Sequence, residues 1–343
     1  MDYLFKKIPG ALLPWYEEHA RKLPWREDKE PYHVWISEIM LQQTRVEAVK
    51  DYYTRFLRAL PTVEALASCE DERLMKLWEG LGYYSRVRNM KKAAQIIVHG
   101  YGGAFPNEYA EVLALPGIGA YTAGAICSIC YDMPTPAVDG NVLRVIARIT
   151  NDNTPIDGTD YKKFVQEKLA AVYPQQAGKF TQALMELGAT LCGPNRKAEC
   201  ENCPCKSVCL ANRYQTVNQL PVRLPKKQRR EEDRTVFILH CDGQYALTRR
   251  PEKGLLANMW QFPDVPGMLE PQNALAKIEA MGLQPECVHR QSDRVHIFTH
   301  VQWNLRGYYI DVKKPSECFA WFTAEQVNTE AALPTAYRQF WDR

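Results

Sequence analysis

The chain lacks any long apolar run. No stretch of its 343 residues approaches the roughly 20 consecutive apolar residues that cross a bilayer. The first ten residues, MDYLFKKIPG, also lack the apolar core of a secretion signal. We therefore expect no membrane partner and a cytoplasmic location, or a nuclear one if the source has a nucleus.

The chain also lacks a strong charge of either sign. Its 43 Lys and Arg residues face 40 Asp and Glu residues, which leaves a net charge of +3, so any surface for a polyanion has to be local. Internal repeats and low-complexity segments are absent as well. Apolar residues make up 46% and charged residues 24%, as in ordinary globular proteins, and the length predicts two or three domains.

Cysteine, in contrast, is plentiful and clustered. There are 11 cysteines, an odd number, and five of them lie between Cys192 and Cys209. This distribution argues against a disulfide framework and favours a metal site. Elsewhere we expect buried free thiols, at Cys69, Cys127, Cys130, Cys241, Cys287 and Cys318.

The first two thirds of the chain have a helical pattern. From Pro9 to about Cys209 apolar residues recur at helical spacing, which predicts an all-helical region. The polar, proline-bearing stretch that follows, at about 212–234, predicts a linker. Its basic run KKQRR either touches phosphates or is simply solvated.

Beyond the linker the pattern changes to mixed α/β. Two β-like runs flank Asp242-Gly243, which is a strong hairpin signal, and a second β-rich stretch spans Val295 to Val312. Helices are expected at Pro271–Met281 and near Ala324–Asn328. The C-terminal part is therefore predicted to be a separate α/β domain.

A turn flanked by glycines interrupts the helical region. In LPGIGAYTAGAI, Gly117 and Gly119 bracket Ile118, between a helix that ends near Leu115 and a helix that starts near Ala120. Such a turn leaves backbone N–H groups at a helix N-terminus, where they suit a phosphate oxygen. The alternative is a plain helical hairpin, in which Ile118 plugs the helix pair.

This turn, followed by the loop VDGNV, resembles the helix-hairpin-helix/Gly-Pro-rich/Asp superfamily of DNA glycosylases. In that superfamily the hairpin grips phosphate and the loop aspartate lies at the scissile sugar. The strings WISEIMLQQTRV, GLGYYSRVRN and ALMELGA are closely similar to its adenine-specific, MutY-type branch. The resemblance implies base excision repair, with double-stranded DNA containing adenine opposite 8-oxoguanine or guanine as the partner. We expect a monomer, associated with the nucleoid if the source is bacterial.

The resemblance also implies a fold. A mostly α catalytic region is expected over residues 1–212, with a six-helix module at about 28–133 and a cluster module formed by the N-terminal helix and about 134–212. A linker is expected at 213–234, and an α/β, MutT-like (Nudix-like) recognition domain at 235–343.

Two carboxylates are the expected catalytic groups. Glu38 lies on a largely apolar helix face, where burial raises the pKa and poises the carboxyl to donate a proton, although a buried glutamate can instead pair with an arginine or satisfy a helix terminus. Asp139 matches the superfamily's aspartate and is also a good N-cap for a helix at 141–150; both roles are compatible. Cleaving an N-glycosidic bond needs a proton on the departing base and negative charge beside the cationic sugar. We expect Glu38 to protonate adenine and help activate water, and Asp139 to stabilise the sugar.

Superfamily members that also cut the strand carry a lysine in the hairpin, which forms a Schiff base. The matching position here is Tyr121, so a monofunctional glycosylase is implied. By the resemblance Tyr121 and Asn141 line the catalytic pocket, Glu186 supports it, and Gln43 and Tyr83 enter the duplex where adenine is flipped out. From the residues alone, Tyr83 and Tyr84 are better explained as core aromatics, and Gln42 and Gln43 as a solvated helix end.

Four cysteines near the end of the helical region follow the spacing C-x7-C-x2-C-x5-C, namely Cys192, Cys200, Cys203 and Cys209. Compact sets of four thiolates bind an iron–sulfur cluster or zinc, and the spacing does not separate the two. The family favours [4Fe-4S] with a first gap one residue shorter, so the longer gap and the additional Cys205 leave open whether Cys205 replaces a neighbour. Arg196 and Lys197 in the first gap are expected to reach toward phosphates.

The stretch TRRPEKGLLANMWQFPDVPG resembles the MutT-like domain attached to this family. A Nudix box with its run of metal-binding glutamates is not visible after Gly254, so a recognition module without hydrolase activity is expected. Phe298, Thr299 and His300 match the family's Phe-Ser-His loop that contacts 8-oxoguanine. Without the family, the same residues are a strand end with a surface histidine.

Two other functions compete. An endonuclease III-type glycosylase and lyase for oxidised pyrimidines is disfavoured by Tyr121 and by the C-terminal domain. A non-enzymatic DNA-binding or redox protein is disfavoured by the presence of both Glu38 and Asp139.

Overall fold

The computed structural model of the chain describes residues 2–194, 198–225 and 228–341. Its α-helices are α1 Asp2–His19, α2 Pro31–Leu41, α3 Val46–Ala59, α4 Val63–Ser68, α5 Asp71–Leu77, α6 Ser85–Tyr101, α7 Tyr109–Ala114, α8 Ala120–Tyr131, α9 Gly140–Thr150, α10 Thr159–Ala170, α11 Ala177–Thr190, α12 Leu210–Arg213, α13 Pro271–Ala280, α14 Ala324–Thr329 and α15 Thr335–Trp341. Its strands are β1 Arg230–Cys241, β2 Gln244–Arg249, β3 Trp260–Gln261, β4 Asp264–Pro266, β5 Pro285–Ile297, β6 Val301–Val312 and β7 Ala320–Thr323.

The chain forms two compact units. One comprises Met1–Ser68 and Asn89–Pro225, and the other comprises Cys69–Arg88 and Lys226–Arg343. Residues 69–88, expected inside the six-helix module at 28–133, thus pack with the second unit instead. One physical reason is Lys76, whose ammonium donates hydrogen bonds to the backbone oxygens of Val327 at 3.3 Å and Ala331 at 3.0 Å.

In the first unit, α1, α9, α10 and α11 enclose an apolar core. Val142, Val145, Ile146 and Ile149 are buried there, as their helical spacing predicts. Burying such a side chain contributes about 1.5 to 3 kcal/mol. The all-helical prediction for this part of the chain is confirmed.

The turn flanked by glycines has the predicted helices on both sides. The residue that caps the end of α7 is Leu115, and α8 begins directly after its N-cap Gly119. Gly117 has φ +79°, a left-handed backbone conformation in which a side chain is strained. A Cβ at Gly117 would also lie 2.7 Å from the Cβ of Asn89, so the turn needs glycine at this position.

The second unit contains a seven-stranded sheet with the path β3-β2-β1-β6-β5, while β4 pairs with β1 and β7 pairs with β2. β1 and β6 are parallel, and the other pairs are antiparallel. Alternate residues of β1 enter two separate cores, Val236 with residues of α14 and α15, and Phe237 with residues of α13. Helices therefore cover both faces of the sheet, and the predicted α/β architecture is confirmed.

The predicted turn at Asp242-Gly243 joins β1 to β2, and both residues have positive φ, 47° and 76°, as a tight hairpin turn requires. The linker predicted at 213–234 needs correction, because β1 already starts at Arg230. Its polar first residues pair in parallel with β6, beginning with Arg230 opposite Val301, and these backbone hydrogen bonds stabilise a strand that has no apolar pattern.

The scattered cysteines are not all buried as predicted. Cys69, Cys127 and Cys241 are buried, but Cys287 and Cys318 are exposed. Cys287 lies on β5 at the edge of the sheet, where alternate side chains face solvent.

Candidate active site

Glu38 lies on α2, the helix that packs against α8. Its residue is only 5% exposed because Val34, Trp35 and Ile39 around it are themselves buried. Burial, together with the nearby charge of Asp139, raises the pKa of the Glu38 carboxyl to about 7, while the hydrogen bond from Tyr121 and the charge of Arg26 oppose the rise. At neutral pH a large fraction of Glu38 therefore carries a proton.

Tyr121 lies in the first turn of α8 and contacts Glu38 directly. Its hydroxyl donates a hydrogen bond of 2.6 Å to Oε2 of Glu38. Burial and the neighbouring carboxylates raise the pKa of Tyr121 well above its ordinary value, so the phenol stays protonated and acts as a donor. The hydrogen bond fixes the orientation of the Glu38 carboxyl.

Asp139 is the N-cap of α9. One carboxyl oxygen accepts from the backbone N–H groups of Asn141 at 2.9 Å and Val142 at 2.7 Å, and the other accepts from Nδ2 of Asn141 at 2.8 Å. Burial raises the pKa of Asp139, and these three hydrogen bonds oppose the rise by stabilising the anion. The predicted cap is confirmed, and the same carboxylate faces the Glu38 cleft.

Glu38, Tyr121, Asp139 and Asn141 line one cleft of about 170 Å³. The structure thus brings together the four side chains that the sequence analysis assigned to the catalytic pocket. The apolar part of the wall includes Leu23, Leu41 and Val46. The size and mixed lining of the cleft suit a planar polar ring with an apolar face.

A buried ion-pair network forms another wall of the same cleft. Glu186 is 0% exposed and accepts from Nε of Arg21 at 2.6 Å and from Nη2 of Arg26 at 2.8 Å. Although burial acts to raise it, the two guanidinium groups lower the pKa of Glu186. The sequence analysis named Glu186 but missed Arg21 and Arg26, and the only local signal for them was the basic and aromatic string RKLPWR just before α2.

Arg144 connects the end of the cleft to the cysteine-rich loop. It donates through Nη2 to Oδ1 of Asn141 at 3.0 Å and through Nε to the backbone oxygen of Cys192 at 2.8 Å. The side chain is buried, so these acceptors satisfy a charge that burial would otherwise penalise. No pattern in the sequence pointed to Arg144.

The cysteine-rich segment lines part of a second, small apolar cavity of about 20 Å³. Five cysteines line it, Cys192, Cys200, Cys203, Cys205 and Cys209. Of these, Cys205 is the most deeply buried at 1% exposed, and it belongs to the core of the first unit, whereas the other four are partly exposed. Burial raises the pKa of the Cys192 thiol, and a hydrogen bond of 3.2 Å from Nη1 of Arg148 to Sγ of Cys192 opposes the rise.

Among the side chains that the structure describes, no three His, Cys, Asp or Glu residues are close enough to hold a single metal ion. The five thiols nevertheless line one cavity, and cysteine thiols are the side chains that bind iron–sulfur clusters and structural zinc. Arg196 and Lys197, expected to reach toward phosphates, lie outside the described residues.

Gln43 and Tyr83 share an unusual backbone conformation. Gln43, in the turn after α2, has φ 59°, and Tyr83, in the loop before α6, has φ 47°. Non-glycine residues rarely adopt positive φ, and when they do they are often functional. Both side chains are exposed, Tyr83 by 46%, which excludes the core position considered for it from sequence alone. The neighbouring Tyr84 is the buried one.

Phe298, Thr299 and His300 form the tip between β5 and β6. The backbone N–H of Phe298 donates to the oxygen of Val301 at 2.8 Å, and its ring packs on Trp303 with 4.8 Å between centroids. Thr299 and His300 are exposed. Within the second unit, the hydroxyls of Thr299 and Tyr83 are 2.7 Å apart and share a hydrogen bond.

Over residues 2–194, 198–225 and 228–341, none of the helices is both long and apolar enough to cross a bilayer.

Comparison with known proteins agrees with this arrangement. Residues 36–174 match the model of the HhH-GPD superfamily of base excision DNA repair proteins, and residues 234–343 match the NUDIX domain. An adenine DNA glycosylase of Arabidopsis thaliana is 35% identical over 90% of this chain, which spans 57% of that protein's length. An adenine DNA glycosylase of Rattus norvegicus is 34% identical over 96% of this chain and 76% of its own length.

Solved structures give the same result for the first unit. The structure of a thermostable thymine-DNA glycosylase, 27% identical, matches with a TM-score of 0.54 over 62% of this chain and 98% of that chain. The sequence match, in contrast, extends over nearly the whole chain at more than 30% identity. The chain therefore belongs to the adenine DNA glycosylase family, within the HhH-GPD superfamily of base excision DNA repair proteins.

Proposed function

We propose that the chain is a monofunctional glycosylase that hydrolyses the N-glycosidic bond of adenine mispaired with 8-oxoguanine or guanine in duplex DNA. The observation that carries the proposal is the pair Glu38 and Asp139 on one cleft, the first with a pKa of about 7 and the second held by three hydrogen bonds. One carboxyl can donate a proton to the departing base while the other stays anionic beside the cationic sugar. Cleavage of an N-glycosidic bond needs both functions.

In the proposed reaction, Glu38 donates its proton to a ring nitrogen of adenine as the bond between the sugar carbon and the base breaks. Asp139 stabilises the cationic sugar that is left. Water then adds to the sugar carbon and returns a proton to the Glu38 carboxylate. Adenine leaves as a neutral base, and Glu38 is regenerated for the next turnover.

The remaining cleft residues receive positioning roles. Tyr121 orients Glu38 through its 2.6 Å hydrogen bond, and Asn141 holds Asp139. The buried network of Glu186, Arg21 and Arg26 supplies a polar wall for the edge of the flipped base. Such a wall favours a base that can pair with fixed donors and acceptors, because an unpaired buried polar group is costly.

Contacts to DNA are assigned to four further places. Gly117 and Gly119 present backbone N–H groups of the hairpin to a phosphate. Gln43 and Tyr83 fill the space that the flipped adenine leaves. Phe298, Thr299 and His300, at an exposed hairpin tip, contact 8-oxoguanine.

The protein is proposed to act as a monomer.

We also propose that Cys192, Cys200, Cys203 and Cys209 hold a [4Fe-4S] cluster. When bound, the cluster cross-links the segment that follows α11 to the segment that precedes α12. Cys205 is assigned a packing role, because it is the one cysteine of the group that belongs to the buried core. Iron and sulfide analysis tests the assignment, and an iron-free, colourless but active protein contradicts it.

The decisive experiment measures adenine release in a single turnover from a duplex with adenine opposite 8-oxoguanine, beside a duplex with thymine glycol. We expect release of adenine alone, and binding without release by Asp139→Asn. Release of thymine glycol would indicate an endonuclease III-type enzyme, and absence of any release would indicate a binding protein.

The monofunctional character has a separate test. No lysine is among the described residues that line the cleft, so no amine is available there for a Schiff base. Borohydride added during the reaction should trap no protein–DNA adduct, and strand breaks should appear only after alkali. A trapped adduct would contradict the proposal.

A further inference from the structure

The loop that carries Tyr83 has an unusual backbone conformation. Gly80, Gly82 and Tyr83 all have positive φ, at 94°, 68° and 47°. For a bulky residue such as tyrosine this conformation is strained and persists only where surrounding contacts impose it. Something in the structure must therefore hold this loop.

Arg86, in the first turn of α6, makes contacts that can do so. Its Nη2 donates hydrogen bonds to the backbone oxygens of Leu81 at 2.9 Å and Gly82 at 3.1 Å. The guanidinium carbon lies 5.3 Å from the ring centroid of Trp78 and 5.6 Å from that of Tyr83. Both distances are within the range of cation–π attraction.

Trp78 also holds the loop, because its Nε1 donates a hydrogen bond to the backbone oxygen of Gly82 at 3.1 Å. Arg86 is half-buried, and burial lowers its pKa to about 10. The side chain thus remains protonated at neutral pH and keeps its attraction to both rings. The Tyr83 ring is 46% exposed and lies against the Arg86 guanidinium, and its hydroxyl shares a hydrogen bond with that of Thr299 at 2.7 Å.

We propose that Arg86 is a positioning residue that holds Tyr83 in the conformation in which it enters the duplex. The inference rests on the proposed function, which assigns the intercalating role to Tyr83. Arginine suits this task because its flat guanidinium donates to two carbonyl oxygens and stacks on a ring at the same time, whereas the ammonium of lysine does not stack in this way.

The test is a double-mutant cycle on the full chain, in the Asp139→Asn background so that no excision occurs. The variants are Arg86→Met, Tyr83→Ala and the combination. The readout is the fluorescence of 2-aminopurine at the target position opposite 8-oxoguanine, which rises when the base leaves the stack. We expect Arg86→Met and Tyr83→Ala each to lower the extruded fraction about tenfold, and the combination to lower it no further than Tyr83→Ala.

Arg88→Met is the matched control. Arg88 lies on the same helix, and its Nη1 donates to the backbone oxygen of Ala257 at 2.6 Å. This variant should extrude the base as the parent does. The inference is overturned if Arg86→Met behaves like Arg88→Met, or if the combined variant shows the product of the two single effects.

Arg86→Lys keeps the test decisive if Arg86→Met fails to fold. It retains the charge but loses the paired donation and the stacking, so we expect an intermediate loss, about threefold, with a melting temperature close to that of the parent. Full extrusion by Arg86→Lys would contradict the inference. Normal extrusion by Tyr83→Ala would instead remove the role proposed for Tyr83 and, with it, that of Arg86.

Discussion

Burial of Glu38 has opposite consequences for catalysis and for stability. In the cleft the raised pKa of about 7 makes the carboxyl a proton donor near neutral pH. In the unfolded chain the same group has its ordinary value of 4.5. The folded protein therefore binds one proton more than the unfolded chain between these two pH values.

For catalysis we predict a pH dependence that Glu38 controls. The rate of adenine release should fall as the pH rises through about 7, because the donor becomes ionised. Glu38→Gln should lose about a hundredfold or more in rate at neutral pH, as expected for a general acid. Single-turnover kinetics from pH 5 to pH 9 measure both effects, and a flat profile for the wild type would contradict the assignment.

The stability of the fold also falls as the pH rises. A glutamate with a raised folded pKa stabilises the protein fully below pH 4.5, and this contribution is lost as the pH rises through about 7. The difference corresponds to roughly 3 kcal/mol at pH 8. Glu38→Gln should thus gain melting temperature relative to wild type between pH 5 and pH 8. An unchanged gap between the two melting curves would show that Glu38 is not buried in this way.

Tyr121→Phe is predicted to shift the pH profile without abolishing activity. The hydroxyl of Tyr121 stabilises the ionised form of Glu38, so its loss should raise the Glu38 pKa and move the fall in rate to higher pH. Loss of one orienting hydrogen bond should cost about tenfold in the limiting rate. The same change in α10, Tyr161→Phe, should leave the pH profile of adenine release in place, and a downward shift for Tyr121→Phe would contradict the prediction.

Among the elements, α9 combines folding and chemistry in one side chain. Asp139 caps the helix through the N–H groups of Asn141 and Val142 and also presents its charge to the cleft. We predict that Asp139→Asn keeps the cap and therefore the stability, because asparagine caps as well as aspartate, but loses excision. Asp139→Ala should lose excision and about 1 kcal/mol of stability as well. Thermal melts beside the release assay separate the two roles, and excision by Asp139→Asn would contradict the second.

The hairpin between α7 and α8 offers a matched pair of glycines. Gly117→Ala should destabilise the protein by roughly 1 to 3 kcal/mol, because φ is +79° and the new methyl would meet Asn89. Gly119 has φ −101° and open space at its Cβ position, so Gly119→Ala should be tolerated. The first variant should also weaken binding to undamaged duplex, measured by titration. Equal behaviour of the two variants would argue against a conformational demand at Gly117.

At the scale of the whole molecule, residues 69–88 belong to the second unit although they lie within the helical part of the sequence. Their attachment is polar as well as apolar. Lys76 donates to two backbone oxygens near the end of α14, and Glu79 accepts from the N–H of Leu333 at 3.1 Å. The loop that carries Tyr83 lies within this segment, shortly after Glu79.

Lys76→Met should therefore make local opening of residues 69–88 more frequent. Removing the ammonium leaves two partly buried carbonyl groups without this donor, at a cost of about 1 to 3 kcal/mol. Hydrogen exchange of residues 69–88 should be faster in this variant than in wild type. Lys50→Met, which removes only an exposed pair with Glu47, should leave the exchange unchanged. Unaltered exchange in Lys76→Met would contradict the attachment described above.

Local patterns were sufficient for several features of this protein. The end of α7, the start of α8, the cap at Asp139 and the turn at Asp242-Gly243 depend on residues close in sequence. Backbone conformation there is set by glycine, by positive φ and by short side chains that bond neighbouring N–H groups. The burial of Glu38 also followed from its apolar neighbours at helical spacing. Because these features depend on neighbouring residues only, the sequence alone predicts them.

Other features depend on contacts between distant residues. The ion pairs of Arg21 and Arg26 with Glu186 join positions about 160 residues apart, and the first residues of β1 become a strand only by pairing with β6. Residues 69–88 leave their sequence neighbours because Lys76 and Glu79 find partners beyond residue 320. The spacing of apolar residues along the chain does not reveal such pairs. They form only when folding brings the residues together, because packing and buried polar groups then require partners.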